Sequence, residues 1–251
     1  MGIRNKKFFT LAGFVFLTRF FLSCGLDTFY TLEPPLYVQH QPLYDNTDYS
    51  HKYYEFYTND AVNKSLTSFT YLGTAVYYRI YKNYSTLVTK NASINAVNNS
   101  SNYNTAAERL ISMGYKQLNT TNGEITPLIG VSPTINAQRV KIRLTDYNAI
   151  GTTSPIAEYQ PQIIINGTLI GQPRRVEGNH TFDFGRNAKE SNSPLPSSTD
   201  ADFEDGNFST ENIYYVDLYA VAVGRDTTYT TYYSNVLHLG VVAIDSSKEV
   251  N

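Results

Sequence analysis

The chain has 251 residues, a formal net charge of −2, 22 tyrosines, a single cysteine and no tryptophan. A near-neutral, slightly acidic balance excludes the broad basic footprint of a nucleic-acid binder, and one cysteine excludes a disulfide framework or a cysteine-rich zinc site. Tyrosine with abundant Asn, Ser and Thr favours strands and turns over helices.

The chain opens with a positive segment, Arg4, Lys6 and Lys7, then an apolar run from Phe8 to Leu17 that resumes at Phe20-Phe21-Leu22. This is the order of a secretory signal peptide. Arg19 cuts the run into pieces shorter than the roughly 20 residues of a spanning helix. The run meets Ser23-Cys24-Gly25, which resembles the lipobox of bacterial lipoproteins in the looser form of spirochaete lipoproteins, with Phe21 where Leu is usual. The resemblance implies that a signal peptide of residues 1–23 is removed and that Cys24 is lipidated. It implies a protein held on a bacterial membrane in the cell envelope, at the outer membrane or cell surface. Four basic side chains and no acid leave with the signal, so the remainder carries −6.

Residues 24–35, ending in Pro34-Pro35, read as a tether, and residues 36–251 as one elaborated domain. Strands are predicted at Leu36–Gln39, Tyr53–Tyr57 and Ala75–Tyr81, the last with Val76, Tyr78 and Ile80 on one face. The polar stretch Asn91 to Asn104 reads as a loop. Thr105 with Glu108 makes a capping box, predicting a short helix over 106–113 that Gly114 ends.

Arg139 to Leu144 alternates as a strand, with Arg139, Lys141 and Arg143 on one face that suits an acidic partner or a charged edge. Ile163 to Ile170 is a hairpin, since Asn166-Gly167 supplies the positive φ angles of a two-residue turn. Arg186 to Asn207 reads as a mobile loop. Within and just beyond it, Asp200, Asp202, Glu204 and Glu211 partly match the spacing of a calcium loop, although Gly206 falls one position late and no helix pattern precedes Asp200.

Near the C-terminus, Tyr214-Tyr215-Val216-Asp217-Leu218-Tyr219-Ala220-Val221 is similar to the Tyr-x-Val-x-Val-x-Ala-Val strand of fibronectin type III domains, and Ser234-Asn235-Val236-Leu237 to the opening of their last strand. The resemblance implies that Tyr214 takes the tyrosine-corner position and that Gly73–Tyr81 is the third strand. The helix and the basic strand then lie in an insertion of about 130 residues. Alternation turns Val216, Leu218 and Ala220 into the core and Tyr215, Asp217 and Tyr219 outward. The expected fold is mainly β, an antiparallel sandwich, fibronectin-like in part, with a long insertion carrying one short helix.

His40, His51, His180 and His238 fall in four segments without metal-ligand spacing. No Gly-x-Ser-x-Gly, His-Glu-x-x-His or Gly-Lys-Ser/Thr pattern is present. The expectation is therefore a non-enzymatic envelope binding or structural module, without cofactor or nucleic acid, whose tyrosines suit a protein partner. The alternative is a hydrolase whose site converges only in space.

Overall fold

The computed structural model describes residues 31–45, 48–67, 69–99, 101, 103–121, 127–147, 157–186, 193–206 and 211–248. The signal segment, Cys24 and most of the predicted tether lie outside the described residues. So does Asn207 at the end of the predicted loop.

The period-two segments become strands in two sheets. The first sheet takes β1 (Tyr37–His40), β2 (Tyr54–Tyr57), β7 (Arg139–Arg143), β8 (Gln162–Ile165) and β9 (Thr168–Gly171), side by side in that order and all antiparallel. The second is built on β3 (Phe69–Tyr81), β12 (Ile213–Asp226) and β13 (Thr231–Asp245), again antiparallel. Short strands line the free edge of β3: β4 (Lys116–Gln117), β6 (Ile129–Gly130) and, in parallel, β11 (Phe203–Glu204). A small ribbon joins β5 (Asn119–Thr120) to β10 (Pro173–Arg174).

The sheets face each other across one core. Tyr54, Phe56, Val140, Ile142 and Ile163 of the first sheet meet Val76, Tyr78, Ile80, Val216, Leu218 and Ala220 of the second. Each large apolar side chain buried there contributes about 1.5–3 kcal/mol. The expected pairing holds: β3 lies beside β12, with Ile80 opposite Val216, and β12 beside β13. The basic strand β7 does lie in the long stretch between β3 and β12, but it is no edge. It is the central strand of the facing sheet.

The second sheet is also covered on its other side. Helices α2 (Tyr84–Asn95) and α3 (Tyr103–Ser112) bury Leu87, Ile94, Ala106, Ala107 and Leu110 against Ala75, Tyr77, Tyr81, Tyr219 and Val221. Tyr219 and Asp217 therefore point away from the sandwich core, as alternation demands, yet both are wholly buried. Two helices occupy the connection where one was expected. The stretch predicted as a loop from Asn91 is helical to Asn95, and α2 is capped by Asn83, whose side chain accepts from the Ser85 and Thr86 amides. Thr105 is the third residue of α3 and not its cap. Gly114 does close that helix, with φ +84° and its amide on the Ile111 carbonyl. The Asn166-Gly167 turn has φ of 51° and 82°, as predicted.

Two polar segments are better held than their composition suggests. The last tether residues are pinned: Glu33 and Asn63 exchange two hydrogen bonds of 2.9 Å, Asn63 belonging to the one-turn helix α1 (Asp60–Lys64). Asn59 donates to the Pro34 carbonyl, and Leu32 is fully buried. Within the predicted mobile loop, residues 193–206 pack onto the sheet: β11 pairs with Ile80–Tyr81, and Asp202 is fully buried.

Candidate functional site

Alternation along β2 and β7 sends Tyr54, Phe56, Val140 and Ile142 inward, so their neighbours form the outer face of the five-stranded sheet. The structure does place Arg139, Lys141 and Arg143 on that face, but in three different environments. Arg139 is exposed, and its Nε donates to Glu55 Oε1 at 2.6 Å, where Glu55 is almost fully buried. Lys141 sets its ammonium 4.3 Å from the centre of the Tyr53 ring. Arg143 is 1% exposed, donating to the carbonyls of Tyr49, Ser50 and Lys52. It belongs to the framework, so the basic face is narrower than the sequence suggests.

Rings fill the space between the charges. Tyr37 stacks on Tyr57 at 5.1 Å, and His40 stacks on Tyr53 at 3.9 Å and on His51 at 5.7 Å. His40 Nδ1 lies 2.8 Å from the Tyr53 carbonyl oxygen. Partial burial holds its pKa below the usual histidine value, and the neighbouring charges of His51 and Lys141 act in the same direction. Across the strands the face turns apolar. Glu55, Lys141, Ile164 and Leu169 occupy successive register positions, and Leu169 on the edge strand β9 is 62% exposed. The result is an open platform of stacked rings and cations with an apolar border. It offers contact area and charge.

The acidic residues read as a calcium loop have other partners. The Arg175 guanidinium is fully buried and meets Asp202 with both Nε, at 3.0 Å, and Nη2, at 2.6 Å, while Nη2 also reaches Asp200 at 2.6 Å. Tyr78 donates its hydroxyl to Asp202 and accepts from the Val176 amide. Burial first, and the Asp202 charge second, push the Tyr78 phenol well above its usual range. Glu204 is paired with Arg79 and Lys90, each at 3.2 Å, and Glu211 lends its carbonyl to Lys82. An arginine thus neutralises the two aspartates a cation would have needed. Among the described residues no cluster of three or more His, Cys, Asp or Glu side chains could hold a metal ion.

Tyr214, read as a tyrosine corner, starts β12 with its ring against Phe184 and Phe203, and the Lys82 ammonium sits 4.0 Å from its centre. Tyr54 ties β2 to distant backbone, its hydroxyl donating to the Val216 carbonyl at 2.8 Å. Buried Asp217 accepts from Tyr115 at 2.6 Å and lies 2.7 Å from His238 Nε2. Asn91 Nδ2 of α2 lies 3.5 Å from the same His238 nitrogen. Sequence spacing gave no sign of this cluster, because Asn91, Tyr115, Asp217 and His238 come from α2, the exit of α3, β12 and β13.

In comparisons with known proteins, no family model, no curated protein and no solved structure matches the chain. Among the described residues no helix is long and apolar enough to cross a membrane.

Proposed function

We propose that the protein is an exported, lipid-anchored module of a bacterial cell envelope that binds a protein partner through the outer face of its five-stranded sheet and catalyses no reaction. The observation that carries this reading is the unequal treatment of the two sheets. The outer face of the second is sealed by α2 and α3, whereas the first leaves Tyr37, Arg139 and Leu169 open to solvent, with Lys141 half-buried among them. Aromatic residues and arginine at the centre of a patch are what protein interfaces favour.

The anchor rests on Cys24. Each buried acyl methylene contributes about 0.8 kcal/mol, and two or three chains hold a protein where one does so only marginally. Cys24→Ala should leave an unprocessed precursor that takes up no labelled palmitate. Normal labelling and mature size in that variant would sink the anchor. For the binding face, a photo-crosslinking amino acid at position 141 should give protein adducts in intact cells, and one at the exposed Val88 of α2 should not. Equal adducts at both, or none at 141, would refute the assignment of the face.

A further inference from the structure

One end of the sandwich gathers buried positive charge without matching carboxylates. Lys52, just before β2, is 8% exposed, and its ammonium donates to the Ala243 carbonyl at 2.9 Å. Arg186 is 3% exposed, donating to the Lys248 carbonyl at 2.8 Å and to the Thr145 hydroxyl at 3.3 Å. With Arg143 they surround one ring, Tyr147, at 5.8, 5.4 and 5.8 Å for Lys52, Arg186 and Arg143 respectively. Among the described residues none of these three cations has a carboxylate within ion-pair distance. The Asp183 carboxylate is linked to the Arg186 guanidinium through the Thr145 hydroxyl, and Asp245 pairs with the exposed Lys248 at 3.7 Å. Tyr147 is itself 2% exposed, and its hydroxyl meets no hydrogen-bond partner.

These groups line a cavity. An inner space of about 30 Å³ is bounded by Lys52, Tyr147, Arg186, Asp245 and Lys248, and it shares Lys52, Asp245 and Lys248 with an outer cleft of about 180 Å³ that Tyr44 and Ile213 border. The inner space exceeds what one water needs, and the whole is smaller than the roughly 300–1,000 Å³ of a drug-sized site. It fits a head group. An unpaired buried cation is costly, and an oxyanion supplied from outside would relieve the two that line the cavity, Lys52 and Arg186, while accepting from the free phenol.

We propose that this cleft binds the oxyanion head group of a small acidic ligand, with Lys52, Arg186 and Lys248 as its cationic contacts and the Tyr147 hydroxyl as a further donor. The remainder of such a ligand leaves along Tyr44 and Ile213. This site is separate from the sheet face of the proposed partner, and neither depends on the other. Desolvation, helped by the Arg186 and Lys248 charges and opposed by Asp245, lowers the Lys52 pKa to about 8. A bound anion favours the protonated amine, so binding weakens as pH rises through that value. Asp45 and Tyr49 complete the set of titratable groups on the cleft walls.

The test is calorimetric titration of the full chain with sulfate, inorganic phosphate and glycerol 1-phosphate at constant ionic strength, on the wild type, Lys52→Met and Lys248→Ala. One saturable site is expected, weakened about tenfold or more by Lys52→Met, as loss of a charge-assisted hydrogen bond implies, and by less in Lys248→Ala. Sulfate affinity should fall between pH 7 and pH 9. Tighter binding of the ester identifies a head group with a tail, and equal binding a free anion; both uphold the site. Heats that do not saturate, or that both variants leave unchanged, overturn it.

Discussion

Arg175 and the trio of Lys52, Arg143 and Arg186 are cations removed from solvent in the same domain, and the chain neutralises them differently. Arg175 receives two aspartates from the segment before β11 within hydrogen-bonding distance, and Tyr78 of β3 donates in turn to one of them, Asp202. The trio receives carbonyl oxygens, aromatic faces and one threonine hydroxyl. The first group finds its countercharge within the molecule. The second has charge to spare, and it is also the one with a cavity beside it.

Substituting the members of each group should give opposite signs. Asp202→Ala leaves Arg175 facing a void and should destabilise by about 3–5 kcal/mol, as breaking a buried pair does. A shift of the urea midpoint worth less than 1 kcal/mol would show that the Arg175 group is not the closed pair described. Lys52→Met should instead stabilise at pH 7, by on the order of 1 kcal/mol, discounted because the cleft admits solvent. Its folded pKa, about 8, lies below the unfolded value, so between these the unfolded chain holds more protons and wild-type stability rises with pH. The advantage of Lys52→Met should therefore shrink from pH 8 toward pH 10, above which the raised pKa values of buried tyrosines such as Tyr54 begin to matter. A difference between the two proteins that stays flat with pH would contradict the assignment. The smallest effect belongs to Lys141→Ala, a half-buried cation on a half-buried ring at the sheet surface, which should change stability by no more than about 0.5–1 kcal/mol. A larger loss would place Lys141 with the framework beside Arg143.

Most strands were legible because each carries its period in consecutive residues: Val76, Tyr78 and Ile80, or Val216, Leu218 and Ala220, identify a face without further information. What covers the opposite face cannot be read that way. Asp217 and Tyr219 looked solvent-facing because α2 carries few apolar residues, with Leu87 and Ile94 alone buried among Asn, Ser and Thr. Its start was nonetheless signalled by Asn83, an N-cap residue followed by Ser85 and Thr86. The acidic run at 200–205 was visible, but its partner, Arg175, stands 25 residues upstream of Asp200 in a segment with no pattern of its own. The Lys52 cleft was hidden for the same reason, since its walls come from five separate stretches of chain.

The reciprocal bonds between Glu33 and Asn63 give the domain a mechanical character. A pull on the chain ahead of Leu32 reaches α1 before it reaches the edge strand β1. The two bonds join one residue pair, so they are loaded together, whereas a bare edge strand gives way one bond at a time. Tension then passes through Asp60 and Lys64, which grip Gln138, Ser132 and Ile135, into the end of β7 and the middle of the sheet. The four residues of β1, and the tyrosine platform they help to form, are left out of the line of force.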